Sequence, residues 1–340
     1  MRSPRFLKFQ APTQNAMQMN CNVPTGPIRW GRWLSAIILI VALTSMLACG
    51  TSERWIARSI VSAPNTDRVI NPSEDTGPNQ LRSLGIDRQL RLDVGPPSAS
   101  LSVWIIEPLH KLTAEAPRGT ILVLHGMQDK KVSMVSMGKT LAGEGYRAVL
   151  VDLRGHGRSS GQWLTYGLVE SRDLSQLIEA LAKQGLIAGR VGVYGASYGG
   201  ATAIMLASID SRVDAVVSVA AFASMREEVP RYIRHILLGR WIPSTVIEAS
   251  IDRAGRIAEF NPIDASPQNA IARTQAPVLL IHSRADEKIP YQQGESLHAA
   301  AKGHSELILV EGEGHDSIFS DRKGILSRAS LAWFNRWVAR

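Results

Sequence analysis

The sequence predicts an α/β protein built on a doubly wound, mostly parallel eight-stranded sheet. Short apolar runs alternate with longer segments of helical periodicity, and a chain of 340 residues that is 45% hydrophobic can bury a large core. The runs expected to be strands span residues 89–95, 102–108, 120–126, 146–153, 190–195, 214–220, 277–283 and 306–312. Ligands of such sheets bind outside the carboxyl ends of the strands, so the loops that follow these runs are expected to carry the chemistry.

Residues 1–48 have the features of a signal sequence. They contain five basic residues and no acidic one, and Leu34–Ala48 is a 15-residue apolar stretch that ends in small residues. A stretch of this length falls short of the roughly 20 residues that cross a bilayer, which favours an export signal over a spanning helix. Without the five basic residues the formal net charge falls from +8 to +3 (8 − 5), so the charge indicates targeting rather than nucleic-acid binding.

The apolar stretch is followed directly by Cys49. The segment "MLACG" resembles the lipobox of bacterial lipoproteins, which implies a lipidated Cys49 and a membrane-anchored protein of the cell envelope that faces the periplasm or the exterior. Met46 and Leu47 depart from the usual lipobox, which leaves plain secretion and an uncleaved anchor as alternatives. The other cysteine, Cys21, belongs to the leader, so the mature chain is expected to fold without a disulfide.

Residues 49–80 are predicted to form a tether, because they are polar, contain prolines and have no clear period. The folded domain is expected over residues 81–340. Within it, residues from about 222 to 272 interrupt the alternation of strands and predict a short helical lid with an apolar inner side. A solvated helix face is the expected place for the arginines of the lid, Arg226, Arg231, Arg234 and Arg240.

Ser197 is the candidate nucleophile. It stands in the sequence Gly195-Ala196-Ser197-Tyr198-Gly199, a G-x-S-x-G motif between a predicted strand and a predicted helix. Glycine on both sides permits a sharp turn that lifts the serine above the sheet, at a helix N-terminus that favours a developing anion. A small residue in a structural turn is the alternative, and the strand and helix around the motif favour the nucleophile.

A serine nucleophile needs a histidine base, and His315 is the predicted one. It follows the last predicted strand in a glycine-rich loop that can return over Ser197. His304 precedes that strand and is expected at the opposite edge of the sheet. Solvated or packing roles are expected for the histidines of connecting or helical segments, which are His110, His235 and His298.

Asp286 is the predicted orienting acid. It follows the penultimate strand by three residues, lies 89 residues after Ser197 and precedes His315 by 29 residues (286 − 197 and 315 − 286). The order Ser, Asp, His is the one expected for a nucleophile elbow of this kind. Glu287 is the nearest rival, and Asp316 is expected to cap the helix that begins near it.

Two backbone N–H groups are predicted to form an oxyanion hole. One belongs to Tyr198, directly after the nucleophile, and the other to Met127, in the loop after the strand 120–126. His125 in the same loop lies on the wrong strand end for a catalytic base and is expected to order the loop.

Five segments, taken together, resemble the α/β-hydrolase superfamily. They match its oxyanion loop, post-strand turn, elbow, acid loop and histidine loop in order, and read "LVLHGMQDKK", "VDLRGHGRSSG", "GASYGG", "LLIHSRADEKIP" and "EGHD". The segment "TYGLVESRDL" has a looser likeness to exported hydrolases of the prolyl-oligopeptidase and dienelactone-hydrolase lineages. The resemblance implies a serine hydrolase of the carboxylesterase, lipase, thioesterase or peptidase kind, which forms an acyl-enzyme on Ser197.

The chain contains no H-E-x-x-H motif, no paired C-x-x-C and no Walker lysine loop, so no metal, nucleotide or other cofactor is predicted. The expected partners are a small-molecule or acyl substrate and a membrane surface, and not nucleic acid. Two alternatives keep the same residues: a binding protein of the hydrolase fold without turnover, and an acyltransferase. A complete triad with an oxyanion loop favours the enzyme.

Overall fold

The computed structural model describes residues 52–65, 76–108, 116–235 and 241–339. The predicted signal sequence and Cys49 lie outside the described residues. The chain divides into two compact units, Met1–Ala48 and Cys49–Arg340, and the description that follows concerns the second.

Within the described residues, eight strands form one sheet in the order β1-β2-β4-β3-β5-β6-β7-β8. Their bounds are Arg88–Val94 (β1), Ala99–Ile106 (β2), Thr120–Leu124 (β3), Arg147–Val151 (β4), Val191–Ala196 (β5), Val213–Val219 (β6), Val278–Ser283 (β7) and Ser305–Val310 (β8). Strand β2 is antiparallel to β1 and β4, and every pairing from β4 through β8 is parallel. The predicted mostly parallel eight-stranded sheet is therefore confirmed.

Helices cover both faces of this sheet. Their bounds are 52–61 (α1), Pro78–Leu84 (α2), Val135–Gly143 (α3), Leu168–Lys183 (α4), Tyr198–Ile209 (α5), Met225–His235 (α6), Ser244–Ile257 (α7), Pro267–Ile271 (α8), Gln292–Ala300 (α9) and Ile325–Trp337 (α10). Alternate residues of a strand face opposite layers: Ile121 and Val123 pack with α3 and α10, whereas Leu122 and Leu124 pack with α4 and α5. A strand buried on both faces reads as a continuous apolar run, which is why β3 is visible in the sequence.

Helix α1 lies where the sequence predicted an irregular tether. Ala57 and Val61 are fully buried and Ile56 and Ile60 are nearly so, and all four join the core cluster that contains α4 and α5. Their spacing of three and four residues places them on one helix face. A main-chain bridge between Ser62 and the loop before α4 follows the helix. Residues 52–61 are thus part of the folded unit rather than a free connection.

The lid segment is helical, with α6, α7 and α8 inside the predicted range of about 222–272. Met225 N–H donates a hydrogen bond of 2.9 Å to Ala265 O, so the start of α6 is held by the segment that leads into α8. None of the helices in the described ranges is both long and apolar enough to cross a membrane.

Candidate active site

Ser197 occupies the sharp turn between β5 and α5. Its backbone angles, φ 51° and ψ −112°, are unfavourable for a residue with a side chain and cost on the order of 1–3 kcal/mol. A Cβ at Gly195 would lie 2.2 Å from Gly199 O, and one at Gly199 would lie 2.6 Å from His125 O. The turn is possible because both positions lack a Cβ. The serine side chain thereby reaches the carboxyl end of the sheet, at the first turn of α5.

Ser197, His315 and Asp286 lie in one hydrogen-bonded row. His315 Nε2 is 3.1 Å from Ser197 Oγ, and His315 Nδ1 is 2.7 Å from Asp286 Oδ2. Because an ionised carboxylate can only accept, Nδ1 carries the proton and Nε2 is left to accept the serine proton. The loop of His315 is held to the end of β7 by a short hydrogen bond from Ser283 Oγ to Glu313 O.

Asp286 is 5% exposed, and its surroundings favour the ionised form. Oδ1 accepts hydrogen bonds from the backbone N–H groups of Lys288 (3.0 Å) and Ile289 (2.8 Å). Burial by itself raises the pKa of Asp286, but the imidazoles of His282 and His315 and the Ile289 N–H outweigh it and lower the pKa to about 2. Asp286 is therefore an anion at neutral pH.

The rival residues from the sequence lie elsewhere. Asp316 is exposed and pairs with Lys288 at 2.6 Å instead of capping a helix or contacting the ring of His315. Glu287 is exposed, and His304 precedes β8 as expected. These residues are not in the hydrogen-bonded row, which identifies Asp286 as the carboxylate that contacts His315.

His125 holds the loop after β3. Leu153 N–H donates to His125 Nε2 at 3.0 Å, so Nδ1 carries the ring proton and donates to Gly126 O at 2.7 Å. Burial lowers the pKa of His125, in keeping with a neutral ring. In a trans peptide the C=O and the next N–H point in opposite directions, so this bond turns the Met127 N–H away from the ring.

Gly126 and Met127 both line the cavity beside Ser197, and a Cβ at Gly126 would lie 3.6 Å from Ser197 Cβ. The Tyr198 N–H is the first of α5 and has no partner within its own helix. The two backbone donors predicted from the sequence are thus on the two loops that flank the serine.

A buried polar network supports the turn that carries Ser197. The sequence alone did not predict this network. Tyr198 OH donates to Glu170 Oε1 at 2.8 Å and accepts from the Tyr166 N–H at 3.0 Å. Glu170 also accepts from the backbone N–H groups of Thr165 and Gly167. Tyr166 OH in turn donates to Ile60 O at 3.0 Å and so joins the network to α1. A glutamate inside an amphipathic helix gives no sequence signal for such a role, because most glutamates in such helices are exposed to solvent.

Ser197 and His315 open into a cavity of about 1180 Å³ with mostly apolar walls. Its walls include α1, the loop after β3 and the lid helix α6, together with residues of the loops before α4, after β7 and after β8. The side chains of α1 on the wall include Trp55, Ile56 and Ile60. Their spacing was the one available sign of a helix in a segment that otherwise reads as polar. No group of three or more His, Cys, Asp or Glu side chains in the described part of the chain is arranged to hold a metal ion.

Comparison with protein families and solved structures agrees with this geometry. Residues 133–340 match the prolyl oligopeptidase family (Peptidase S9). The solved esterase Pf2001 of Pyrococcus furiosus superimposes with a TM-score of 0.61 at 19% identity, over 80% of this chain and 98% of that one. An acylaminoacyl peptidase of Pyrococcus horikoshii superimposes with a TM-score of 0.56 at 22% identity, over 78% of this chain and 44% of that one. The fold is that of the α/β-hydrolases.

Three sequence relatives come from Bacillus subtilis and Escherichia coli. The uncharacterized protein YqkD of Bacillus subtilis is 25% identical over 213 residues, which are 62% of this chain and 68% of that protein. YfhR of Escherichia coli, also described as uncharacterized, is 27% identical over 239 residues, or 69% and 75% of the two chains. The putative esterase YitV of Bacillus subtilis is 25% identical over 232 residues, or 64% and 89%.

Proposed function

The chain belongs to the prolyl oligopeptidase family and is a serine hydrolase of the α/β-hydrolase fold, and on that premise we propose that it cleaves carboxylic esters through an acyl-enzyme on Ser197. The observation that carries the proposal is the row of hydrogen bonds from Ser197 Oγ through His315 to Asp286, beside a mostly apolar cavity. Thioesters and amides react by the same steps. The relatives described as esterases support the choice of esters.

In the first half of the reaction, Ser197 Oγ attacks the carbonyl carbon of the ester and its proton passes to His315 Nε2. Asp286 stabilises the imidazolium that forms. The carbonyl oxygen becomes an anion, which the N–H groups of Met127 and Tyr198 bind. Collapse of this intermediate expels the alcohol, which takes the proton from His315 Nε2 and leaves the acyl group on Ser197. In the second half a water molecule, deprotonated by His315, attacks the acyl-enzyme and releases the acid.

A fluorophosphonate probe tests the nucleophile, because its adduct resembles the tetrahedral intermediate. We expect covalent labelling of the wild-type protein, none of Ser197→Ala and almost none of His315→Ala. Met127→Ala should keep most of the labelling, since its proposed donor is backbone. The matched control is Ser133→Ala, which removes another serine from the same cavity wall and should label like the wild type.

Turnover is measured with 4-nitrophenyl esters of graded chain length, followed by thioesters and amides. Loss of turnover in Ser197→Ala in parallel with loss of labelling is the expected result. Labelling without turnover of any of these substrates would favour an acyltransferase or a binding protein. Absence of labelling in folded wild-type protein would remove Ser197 as the nucleophile.

We further propose that the enzyme is exported and anchored in the cell envelope through a lipid on Cys49. The support is the apolar stretch Leu34–Ala48 that ends at this cysteine. Two or more acyl chains hold a domain at a membrane surface without a spanning helix. Mass analysis of the mature protein should find a lipidated N-terminal Cys49 that is absent in Cys49→Ala. An unmodified N-terminus at another residue would exclude lipidation.

A further inference from the structure

Glu228 is a carboxyl group in the wall of the cavity that contains Ser197. It lies on α6 and is 8% exposed, and its neighbours Val229, Tyr232 and Ile233 line the same cavity. Removing a carboxylate from water costs free energy unless hydrogen bonds or an opposite charge compensate for it. The reaction steps proposed above do not use Glu228, so its position in an apolar wall calls for another role.

One oxygen of Glu228 is fixed by the core. Gln293, which is 4% exposed on α9, donates from Nε2 to Glu228 Oε2 at 2.8 Å. The amide oxygen of Gln293 accepts the Ala223 N–H at 2.7 Å, so the orientation of the amide is determined and its NH₂ faces the carboxyl. Glu228 Oε1 has no such partner among the described residues and is not sealed from solvent. A hydrogen-bond acceptor with one free oxygen is thereby held in place among the residues that line the cavity.

The charges on the described cavity wall favour a cationic ligand. The acidic side chains are Asp129, Glu228 and Asp316, and the one lysine among these lining residues, Lys288, is paired with Asp316. The arginine at the start of the lid, Arg226, pairs instead with Glu248 and Asp252 of α7. Among the described residues no arginine lines the cavity, so the described part of the lid presents the Glu228 carboxyl group to the substrate space.

We propose that Glu228 binds the protonated amino group of the substrate, so that the enzyme prefers esters or amides that carry an ammonium group. This inference rests on the proposed hydrolase function, because it names the class of substrate for the same cavity. Aromatic rings of the wall add to the attraction: those of Tyr166 and Phe222 lie 6.0 Å apart between centroids, and Tyr232 follows on α6. Ring faces attract ammonium groups, and the aliphatic part of the substrate would pack on the apolar wall.

The pH dependence of this preference has a defined sign. Burial raises the pKa of Glu228 to about 7, and the charge of Asp286 adds to this, whereas the Gln293 hydrogen bond and Arg231 act in the opposite direction. Tyr166 also faces the group and is neutral, since burial raises its pKa. Alkylamines stay protonated up to pH 9, so the preference for them should grow from pH 6 to pH 8 as Glu228 ionises.

Binding is measured first, by calorimetry, with hexylammonium and with 1-hexanol as its neutral counterpart. At pH 8 the wild type should bind hexylammonium at least on the order of tenfold more tightly than hexanol, as expected for a hydrogen bond to a charged group. Glu228→Gln keeps an acceptor for Gln293 but loses the charge, and the two ligands should then bind about equally. The control is Glu227→Gln, which removes an exposed charge from the same helix and should behave like the wild type.

Kinetics are then measured with 4-nitrophenyl 6-aminohexanoate and 4-nitrophenyl heptanoate, in which a methyl group replaces the ammonium. The ratio of their kcat/KM values should rise between pH 6 and pH 8 in the wild type and in Glu227→Gln, and should be flat in Glu228→Gln. The rate of fluorophosphonate labelling, with a neutral probe, should be the same in the wild type and in Glu227→Gln, and labelling of Glu228→Gln shows that its nucleophile is still in place.

These measurements separate the two proposals. Equal binding of hexylammonium and hexanol by the wild type, or an equal loss for both in Glu228→Gln, would overturn the ammonium subsite and leave Glu228 as a support of the lid. Absence of labelling and turnover in the wild type would instead contradict the hydrolase proposal, and the calorimetric comparison would still decide the subsite.

Discussion

Asp286 and Asp316 compete in the sequence for the role of orienting acid, and the hydrogen bonds distinguish them. Asp286 Oδ2 lies 2.7 Å from His315 Nδ1, whereas the exposed Asp316 pairs with Lys288. The low pKa of Asp286, about 2, keeps it ionised, so it fixes the proton on Nδ1 and leaves Nε2 to accept from Ser197. The two residues should therefore respond differently to the same substitution.

Asp286→Asn is expected to lower kcat by a factor on the order of 10⁴, the size found for the equivalent change in a protease triad. The asparagine amide can donate to Nδ1 and so stabilises the wrong tautomer of His315. Asp316→Asn, which removes an exposed ion pair, should change kcat less than threefold, since such pairs contribute roughly 0–1 kcal/mol. Steady-state kinetics on a 4-nitrophenyl ester measures both. The reverse ranking in folded protein would assign the acid to Asp316.

At the scale of the elements, the strands could be predicted from the sequence and helix α1 could not. Central strands such as β3, β5 and β7 are buried runs because both of their faces are covered, and the G-x-S-x-G turn stands between a strand of this kind and a helix. Helix α1 is about ten residues long, and isolated helices of that length are marginal in water. Its stability comes from packing Ile56 and Ile60 on distant parts of the chain, and local composition does not record such contacts.

Tyr166→Phe tests how α1 is held. The hydroxyl of Tyr166 donates to Ile60 O across a separation of 106 residues, and the substitution leaves that carbonyl without its donor. We expect the free energy of unfolding to fall by about 1–3 kcal/mol, the cost of an unsatisfied buried group. Amide hydrogens of residues 52–61 should also exchange faster, because α1, which forms one wall of the cavity, loses its hydrogen bond to Tyr166.

Tyr291→Phe is the matched control for this change. Its ring contacts Arg284 with the guanidinium 5.0 Å from the centroid, and phenylalanine preserves that contact. Urea unfolding and hydrogen exchange of Tyr291→Phe should therefore match the wild type. Unchanged exchange in residues 52–61 of Tyr166→Phe would show that apolar packing alone holds the helix.

At the scale of the whole molecule, the positions of the candidate catalytic residues were predictable and the substrate space was not. Ser197, Asp286 and His315 follow strands whose order fixes where they meet, so chain order was enough to group them. The walls of the cavity include α1, the β3 loop and α6, three segments far apart in sequence. The role proposed for Glu228 follows only from its place in the cavity wall, because in the sequence Glu228 is one acidic residue of an amphipathic helix.

Two histidines are buried close to Tyr198 and the loop after β3. The rings of His125 and His156 lie 4.9 Å apart between centroids, and both side chains are fully buried. His156 Nδ1 donates to Arg154 O at 2.9 Å, and its Nε2 has no hydrogen-bond partner among the described residues. Burial, together with the neighbouring His125, lowers the pKa of His156 to about 3, and burial also lowers that of His125.

Because both histidines are neutral in the folded protein and take up a proton when it unfolds, stability should be lost on acidification. The stabilising effect of a neutral His156 is fully present above pH 6.5, its unfolded pKa, and declines as the pH falls toward 3. His156 then contributes a slope of up to about 1.4 kcal/mol per pH unit in this window, and the lowered pKa of His125 acts in the same direction. Glu228 has the opposite effect, since its raised pKa favours the folded state at low pH and loses that advantage between pH 4.5 and 7.

His156→Asn separates these contributions. The asparagine amide can replace Nδ1 as the donor to Arg154 O but does not titrate, so the free energy of unfolding should fall less steeply between pH 6.5 and pH 4 than in the wild type. Urea titrations at half-unit pH steps give both slopes, and the comparison of slopes is independent of any stability lost at all pH values. Equal slopes for His156→Asn and the wild type would mean that the buried pair opens to water before the molecule unfolds.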